Sequence, residues 1–148
     1  MTTRTDDPAE LSQSLRAAVR GAVIGPGTAA YEEARAVWNA MIDRRPALIV
    51  RPLDTADVQA AVRAAGTAGL SISVRGGGHN VAGHGVGAGS LLIDLSAMRG
   101  VTVDAAARVA RVEGGATWAS VDAATQAHGL ATPGGRVSDT GVGGLTLA

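Results

Sequence analysis

The segment Arg75-Gly-Gly-Gly-His-Asn80 has the composition of an anion-binding turn. It follows directly on a short alternating segment, residues 71–75, that is typical of a β-strand. Three consecutive glycines permit positive φ and let a ligand approach the backbone closely. Successive N–H groups in such a turn can surround an anion, and Arg75, His79 and Asn80 could add side-chain contacts. A flexible linker or a tight turn would use the same glycines, so these residues alone leave both interpretations open.

Two better-known phosphate motifs do not fit this chain. A Rossmann fingerprint needs glycines at its first, third and sixth positions, at the start of a helix. Here Val81 stands where the sixth position of the first glycine group falls, and Ser90 stands there for the second group. All thirteen basic residues are Arg, so a Walker-A loop, which needs a Lys, is excluded.

Other candidate reactive side chains favour structural interpretations. His79 and His84 are five residues apart, a spacing that metal ligands can have, but no Cys is present and the next acid is Asp94. We therefore predict no metal site. Asp94 ends an apolar segment and is expected to cap the following turn. Ser138 and Asp139 have no neighbouring His, which gives a hydrolase triad little support, and we assign no catalytic residue.

Composition limits the partners and the compartment. The chain has 148 residues, 46% of them hydrophobic, which is typical of one globular unit. Thirteen basic residues balance thirteen acidic ones, and only three residues are aromatic, so we expect no nucleic-acid and no membrane partner. The chain contains no Cys, which excludes disulfides. We see no signal peptide and no apolar segment near the ~18 residues of a membrane span, and we predict a cytoplasmic protein.

The sequence patterns on either side of the glycine motif predict an α+β fold. An N-terminal helical segment, residues 1–43, is expected to hold an amphipathic helix around Leu11–Val19 and a second helix from Ala29 to Met41. From residue 44 the pattern changes to a β-α-β unit and a small mixed sheet. The predicted strands are residues 47–51, 71–75, 91–95, 101–104 and 108–113. The predicted helices are 117–128 and one that begins at Asp54 or Thr55 and ends at Gly66 or Gly69. The last twenty residues are glycine-rich and predicted to form a loop.

Several segments together resemble one flavoprotein superfamily. The matching segments are Arg44–Pro52, Asp57–Val62, Ser73–Asn80, Leu92–Ser96, Gly129–Gly135 and Thr140–Leu147. They resemble the vanillyl-alcohol oxidase/p-cresol methylhydroxylase superfamily, specifically the berberine-bridge-enzyme-like FAD-linked oxidoreductases. The resemblance implies a PCMH-type FAD-binding domain over residues 44–148. It also implies a function as the FAD-binding portion of an oxidoreductase that transfers a hydride from a small-molecule substrate to FAD.

The resemblance also implies roles for individual residues. The His of this loop is bonded covalently to the flavin in the family, and His79 holds that position. A second attachment through Cys occurs in some members, but Val137 stands there and only single attachment is possible. The cofactor-binding residues implied by the motif and the resemblance are Arg75, Gly76, Gly77, Gly78, His79, Asn80, Thr132, Gly135, Ser138, Thr140 and Gly141.

The family continues beyond the last matching motif with the rest of the flavin domain and a substrate domain. We therefore expect this sequence to be the N-terminal part of such a flavoprotein, incomplete at its C-terminus. Two alternatives follow from that expectation. One is a truncated, non-catalytic remnant, and the other is a nucleotide-binding module that needs a partner chain or a missing C-terminal half.

Overall fold

The computed structural model describes residues 8–147 of the chain. The helices are α1 (Pro8–Ala18), α2 (Ala29–Arg35), α3 (Thr55–Ala68), α4 (Trp118–Gln126) and α5 (Val142–Leu147). The strands are β1 (Ala22–Ile24), β2 (Leu48–Arg51), β3 (Ile72–Arg75), β4 (Leu91–Asp94), β5 (Val101–Asp104) and β6 (Val109–Val112). One turn of 3₁₀ helix, Leu95–Ala97, follows β4.

A mixed four-stranded sheet is the centre of the structure, with strand order β1-β2-β4-β3. Strands β2, β4 and β3 run parallel, and β1 pairs antiparallel with β2. The predicted fold class is confirmed, because a β-α-β unit of β2, α3 and β3 and a small mixed sheet are present. Strand β1 brings the N-terminal segment into the same sheet. The division of the chain at residue 44 stays a prediction.

The two central strands, β2 and β4, are buried on both faces of the sheet: their successive side chains point to opposite sides, and helices cover each side. The core on the first face, against α1 and α3, takes from these strands Leu48, Val50, Leu91 and Ile93. The core on the second face consists of Ile49, Leu92, Val86 and two α2 residues, Tyr31 and Ala34. Two-sided burial explains why both strands read as continuous apolar runs in the sequence.

Helix α3 begins at the predicted cap and ends at Gly69, one of the two predicted ends. The Asp54 carboxylate accepts a hydrogen bond from the backbone N–H of Asp57 at 2.9 Å, which caps the first turn. Gly69 ends the helix in the left-handed region, with φ of 66°. The helix packs through three buried alanines, Ala61, Ala65 and Ala68, whose small side chains allow close packing.

A second layer consists of the β5–β6 hairpin and α4. Strand β5 pairs antiparallel with β6, from Val101 opposite Val112 to Asp104 opposite Val109. Helix α4 buries Trp118, Val121 and Thr125. An isolated antiparallel bridge joins Thr117, just before α4, to Gly141, so the C-terminal segment is tied to the start of this helix.

Two predicted elements are wrong. The second helix ends at Arg35 instead of Met41, and Trp38 and Met41 are exposed instead of lining a helix face. The physical reason is that the backbone turns extended at Ala36, after which the N–H of Trp38 binds a distant carbonyl, that of Gly78. The last twenty residues are not all loop, because residues 142–147 form α5.

Candidate functional site

The glycine loop, residues 76–89, leaves the C-terminal end of β3 and leads into β4. Because β3 and β4 are parallel neighbours, the chain has to travel back along the sheet, and the loop provides that return. Seven of its fourteen residues are glycine. Gly78 adopts a φ of 72°, a conformation that other residues rarely take. The loop is therefore an ordered turn whose shape depends on glycine.

The N-terminal part of this loop lines a cleft of about 340 Å³. Its walls are residues 74–80, 84–85, 140–141 and 144–145. Among the residues that the structure describes, none accepts a hydrogen bond from the backbone N–H groups of residues 76–80. Residues 76–79 are half-buried and Asn80 is exposed. Five consecutive donors without a protein acceptor in a glycine turn beside a cleft are typical of an anion site, because successive N–H groups in such a turn can surround an anion.

Another wall of the cleft comes from residues 140–141, just before α5, and from residues 144–145 of α5 itself. Gly77 and Gly141 contact each other backbone to backbone. A Cβ built on Gly77 would lie 2.4 Å from the nitrogen of Gly141, and a Cβ on Gly141 would lie 2.3 Å from the nitrogen of Gly77. Two segments that resemble flavin loops in the sequence are therefore brought into contact, and only glycine fits at either position.

Arg75 has internal partners as well as a place in the cleft wall. Its guanidinium forms an ion pair with Asp94, with Nη2 2.8 Å from Oδ2 and Nε 3.3 Å from Oδ1. Its Nη1 donates to the carbonyl of Ala36 at 2.7 Å. The carboxylate of Asp94 also accepts from Arg51 Nε at 2.8 Å. The positive charge of Arg75 is therefore balanced inside the protein, and its contribution to cofactor binding stays a prediction.

Asp94 caps the turn after β4, as the sequence predicts, since its Oδ1 accepts from the backbone N–H of Ser96 at 3.2 Å. Burial by itself raises the pKa of this fully buried carboxyl. The hydrogen bonds and charges of Arg75 and then Arg51 outweigh burial and bring the pKa below its ordinary value. Asp94 is therefore a charged anchor beneath the loop.

His79 lies at the rim of the cleft, in contact with Gly77 and Trp38 and near Asp139. Its Nδ1 lies 2.9 Å from the carbonyl oxygen of Gly77, and its Nε2 lies 3.5 Å from the carboxylate of Asp139. The ring stacks on the indole of Trp38, with centroids 6.0 Å apart and planes at 25°. The side chain of Asn80 is used within the loop, where its Oδ1 accepts from the N–H of His84 at 3.1 Å.

The remaining predicted cofactor-binding residues do not all line the cleft. Thr140 and Gly141 lie in the cleft wall with the glycine loop. Thr132 lines a second, separate cavity of about 410 Å³ between the hairpin and α4. Gly135 packs on the indole of Trp118, and Ser138 uses its carbonyl to accept from the N–H of Ala119. The cofactor contacts predicted for these residues stay predictions.

The sequence reasoning missed the contribution of residues 36–44. Trp38 contacts the predicted motif itself, at Gly78 and His79, and Arg44 contacts the later part of the glycine loop at Gly83. The spacing of Trp38 in the sequence predicts a place on a helix face and does not indicate a contact with the glycine loop. The cleft itself suits a cofactor that carries phosphate, because its wall at residues 76–78 is glycine and the N–H groups there have no acceptor among the described residues.

Comparison with known proteins identifies that cofactor. Residues 46–148 match the family model described as an FAD binding domain. The chain is 35% identical to (R)-6-hydroxynicotine oxidase of Paenarthrobacter nicotinovorans over 129 residues, which are 87% of this chain and 28% of the oxidase. A solved structure of a variant of BBE-like 1 from Physcomitrella patens matches with a TM-score of 0.82 and 30% identity, over 90% of this chain and 29% of that one. The carbohydrate oxidase from Microdochium nivale matches with a TM-score of 0.81 and 29% identity, over 90% and 29% of the two chains.

The chain belongs to the FAD binding domain family. This confirms the flavoprotein resemblance and FAD as the cofactor. The chain spans less than a third of the length of the relatives it matches. In the part of the chain that the structure describes, no helix is long and apolar enough to cross a bilayer.

Proposed function

We propose that the cleft binds the pyrophosphate of FAD on the backbone N–H groups of residues 76–80. The observation that carries this proposal is the run of five consecutive donors without an acceptor beside a cleft of about 340 Å³. A pyrophosphate is an extended anion, and several convergent N–H groups can bind it with no positively charged side chain. Arg75 supports the loop from behind through Asp94, while Thr140 and Gly141 bound the cofactor on the other side.

The chemistry of the whole protein follows from the cofactor. When bound, FAD accepts a hydride from a small-molecule substrate, and the polypeptide supplies binding, orientation and electrostatics. In this proposal the chain acts as the FAD-binding portion of an oxidoreductase, and its own residues are given no role in activating the substrate. The alternatives of a non-catalytic remnant and of a module that acts with a partner chain are distinguished by flavin binding and then by turnover. A cytoplasmic location stays a prediction.

A pair of matched variants tests the pyrophosphate site. Gly78 and Gly89 both lie in the glycine loop at positive φ, 72° and 67°, and a Cβ at either has no close clash, yet only Gly78 lines the cleft. Alanine in the left-handed region costs about 1–2 kcal/mol, so both variants strain the loop equally. We expect Gly78→Ala to weaken FAD binding about tenfold and Gly89→Ala to leave it unchanged, measured by quenching of flavin fluorescence. Failure of the unchanged chain to bind FAD, or equal affinities in all three proteins, would contradict the proposal.

We further propose His79 as the point of covalent attachment. Within the described part of the chain no hydrogen bond to its Nε2 is found, the Asp139 carboxylate being 3.5 Å away, and the ring stands at the rim of the cleft. Attachment replaces one hydrogen of the flavin 8α-methyl group with a ring nitrogen of His79. The displaced hydride equivalent and the imidazole proton pass to dioxygen, giving hydrogen peroxide.

The attachment is tested by acid precipitation, fluorescence of the pellet and peptide mass mapping. We expect flavin mass on the peptide that contains His79 and its loss in His79→Ala. His84→Ala is the matched control, since His84 also lines the cleft. Flavin on a peptide that lacks His79, or flavin released entirely into the supernatant, would overturn this part of the proposal.

A further inference from the structure

Residues 36–44, here called the strap, connect α2 to β2 and cross over the glycine loop. The strap lies outside residues 46–148, the part of the chain that matches the family model. It is fixed at its start because the carbonyl of Ala36 accepts from Arg75. Near its end, Ile42 packs where a Cβ on Gly83 would lie, at 2.7 Å. The strap and the glycine loop therefore fit each other closely.

The strap binds the loop through the loop's carbonyl groups. Its donors are the backbone N–H of Trp38, the side-chain amide of Asn39 and the guanidinium of Arg44. Their acceptors are, in that order, the carbonyls of Gly78 at 3.1 Å, Val81 at 2.8 Å and Gly83 at 2.7 Å. Arg44 also donates to the carbonyls of Ala82 and Val86, each at 3.2 Å. These bonds use the carbonyl side of the loop's peptide groups and leave the N–H groups of residues 76–80 for a ligand.

The ring of Trp38, which belongs to the strap, also contacts His79 in the loop. Because the carbonyl oxygen of Gly77 can only accept, the Nδ1 that lies 2.9 Å from it must carry the hydrogen. A neutral ring then has its lone pair on Nε2. The indole of Trp38 lies on the face of this ring at 6.0 Å and 25°, within the range of favourable aromatic pairs. The stack restrains rotation of the imidazole away from Gly77, and Asp139 near Nε2 pairs with the ring only when it is protonated.

We propose that Trp38 is a positioning residue for the flavin site, which fixes His79 in the tautomer with hydrogen on Nδ1 and the lone pair on Nε2. The strap as a whole holds the glycine loop in the conformation that receives the pyrophosphate. The role of Trp38 in a flavin site rests on the proposed function. The tautomer of His79, in contrast, is a property of the flavin-free chain. Trp38 acts through His79 and is not itself a catalytic residue.

The tautomer of His79 is measured by nitrogen-15 NMR on the flavin-free chain, at a pH well above neutrality. The chain has three His residues, and the His79 signals are assigned by their loss in His79→Gln. We expect one tautomer, with hydrogen on Nδ1, in the unchanged chain and a mixture of both tautomers in Trp38→Ala. Trp38→Phe, which restores an aromatic face, should recover the single tautomer. Met41→Ala is the matched control, because Met41 lies in the strap and its side chain is 90% exposed.

Flavin titration of the same proteins separates the two proposals. We expect Trp38→Ala to raise the Kd for FAD about twofold to tenfold, the range that the loss of one aromatic stack gives, while Met41→Ala leaves it unchanged. A single tautomer in Trp38→Ala, or mixed tautomers in the unchanged chain, overturns the role of Trp38 whatever FAD does. Absence of FAD binding in the unchanged chain overturns the proposed function and leaves the tautomer result standing. Since Trp38 is 64% exposed, its replacement removes no core packing.

Discussion

At the scale of single residues, the contact between Gly77 and Gly141 defines the cleft. From the sequence, the three consecutive glycines suggest close approach of a ligand to the backbone. The structure gives Gly77 a different neighbour, since the direction of its missing Cβ is occupied by the backbone of Gly141. Glycine at 77 is therefore required by the protein's own packing, and the effect of a substitution there would not report on the ligand directly.

Alanine at either of these positions is expected to destabilise the protein. The added Cβ would lie 2.4 Å or 2.3 Å from a backbone nitrogen, which cannot move aside as a flexible side chain can. We expect Gly77→Ala and Gly141→Ala each to lower the free energy of unfolding by about 1–3 kcal/mol in urea titration. Gly144→Ala is the control, because Gly144 lies in α5 with nothing within 4 Å of its Cβ position. Alanine there should be neutral or add about 0.5–1 kcal/mol, and equal losses at all three positions would contradict the packing argument.

At the scale of elements, Asp57 joins the start of α3 to the segment between α1 and β1. Its buried carboxylate accepts from the backbone N–H groups of Arg20 at 2.9 Å, Gly21 at 3.0 Å and Leu53 at 2.9 Å. Burial by itself raises the pKa of Asp57, but these hydrogen bonds outweigh it and bring the pKa below its ordinary value. One side chain thus connects the N-terminal helix and β1 to the β-α-β unit.

Replacing this carboxylate should loosen the connection. Asp57→Asn puts an amide nitrogen where an oxygen accepts N–H groups, leaving at least one partly buried donor unpaired, and we expect a loss of about 1.5–3 kcal/mol by urea titration. Asp122→Asn is the matched control on α4, where the side chain is exposed. A change there should stay within about 0.5 kcal/mol. An Asp57 variant as stable as the control would show that its hydrogen bonds contribute little.

Elements with strong local signals were predicted and elements fixed by distant contacts were not. Helix α3 has its Asp cap and Gly69 stop in the sequence, and β2 and β4 have the apolar runs of doubly buried strands. Strand β1 has only three residues and exists because it pairs with β2, which no local pattern reports. Helix α2 ends early because Trp38 binds Gly78, 40 positions along the chain, and this contact overrides the helical spacing of Trp38 and Met41. The glycine motif of the site can likewise be predicted because its residues are consecutive in the sequence. The strap cannot, because its contacts with the loop join residues far apart in the chain.

At the scale of the whole molecule, Asp94 is the charge that holds the site to the sheet. It lies at the end of the central strand β4 and pairs with Arg51 from β2 and Arg75 from β3. Arg75 then binds the strap at Ala36. The ends of three parallel strands, the glycine loop and the strap are therefore connected through one fully buried carboxylate.

Asp94→Asn is expected to lower the free energy of unfolding by about 3–5 kcal/mol, since it leaves the guanidinium of Arg75 buried without its counter-charge. Arg45→Gln, which removes an exposed ion pair with Glu32, should cost less than about 1 kcal/mol.

The lowered pKa of Asp94 also makes the stability of the fold depend on pH. Stability from this group is complete above the ordinary carboxyl range and is lost as pH falls below about 4 toward the lower folded pKa, because the unfolded carboxyl binds the proton first. Urea titrations should therefore show a shallower loss in acid for Asp94→Asn than for the unchanged chain, and parallel losses would contradict this role.

The unpaired N–H groups of residues 76–80 have a consequence for amide hydrogen exchange. Exchange is slowed mainly by hydrogen bonding, so these five amides can exchange without any opening of the fold, even though the turn around them is well ordered. An anion bound in the cleft would give them acceptors and slow their exchange, while the amides of β4 beneath them would already be slow. The exchange rates of these five amides therefore report whether the cleft is occupied, and deuterium labelling can follow them for any phosphate-bearing molecule.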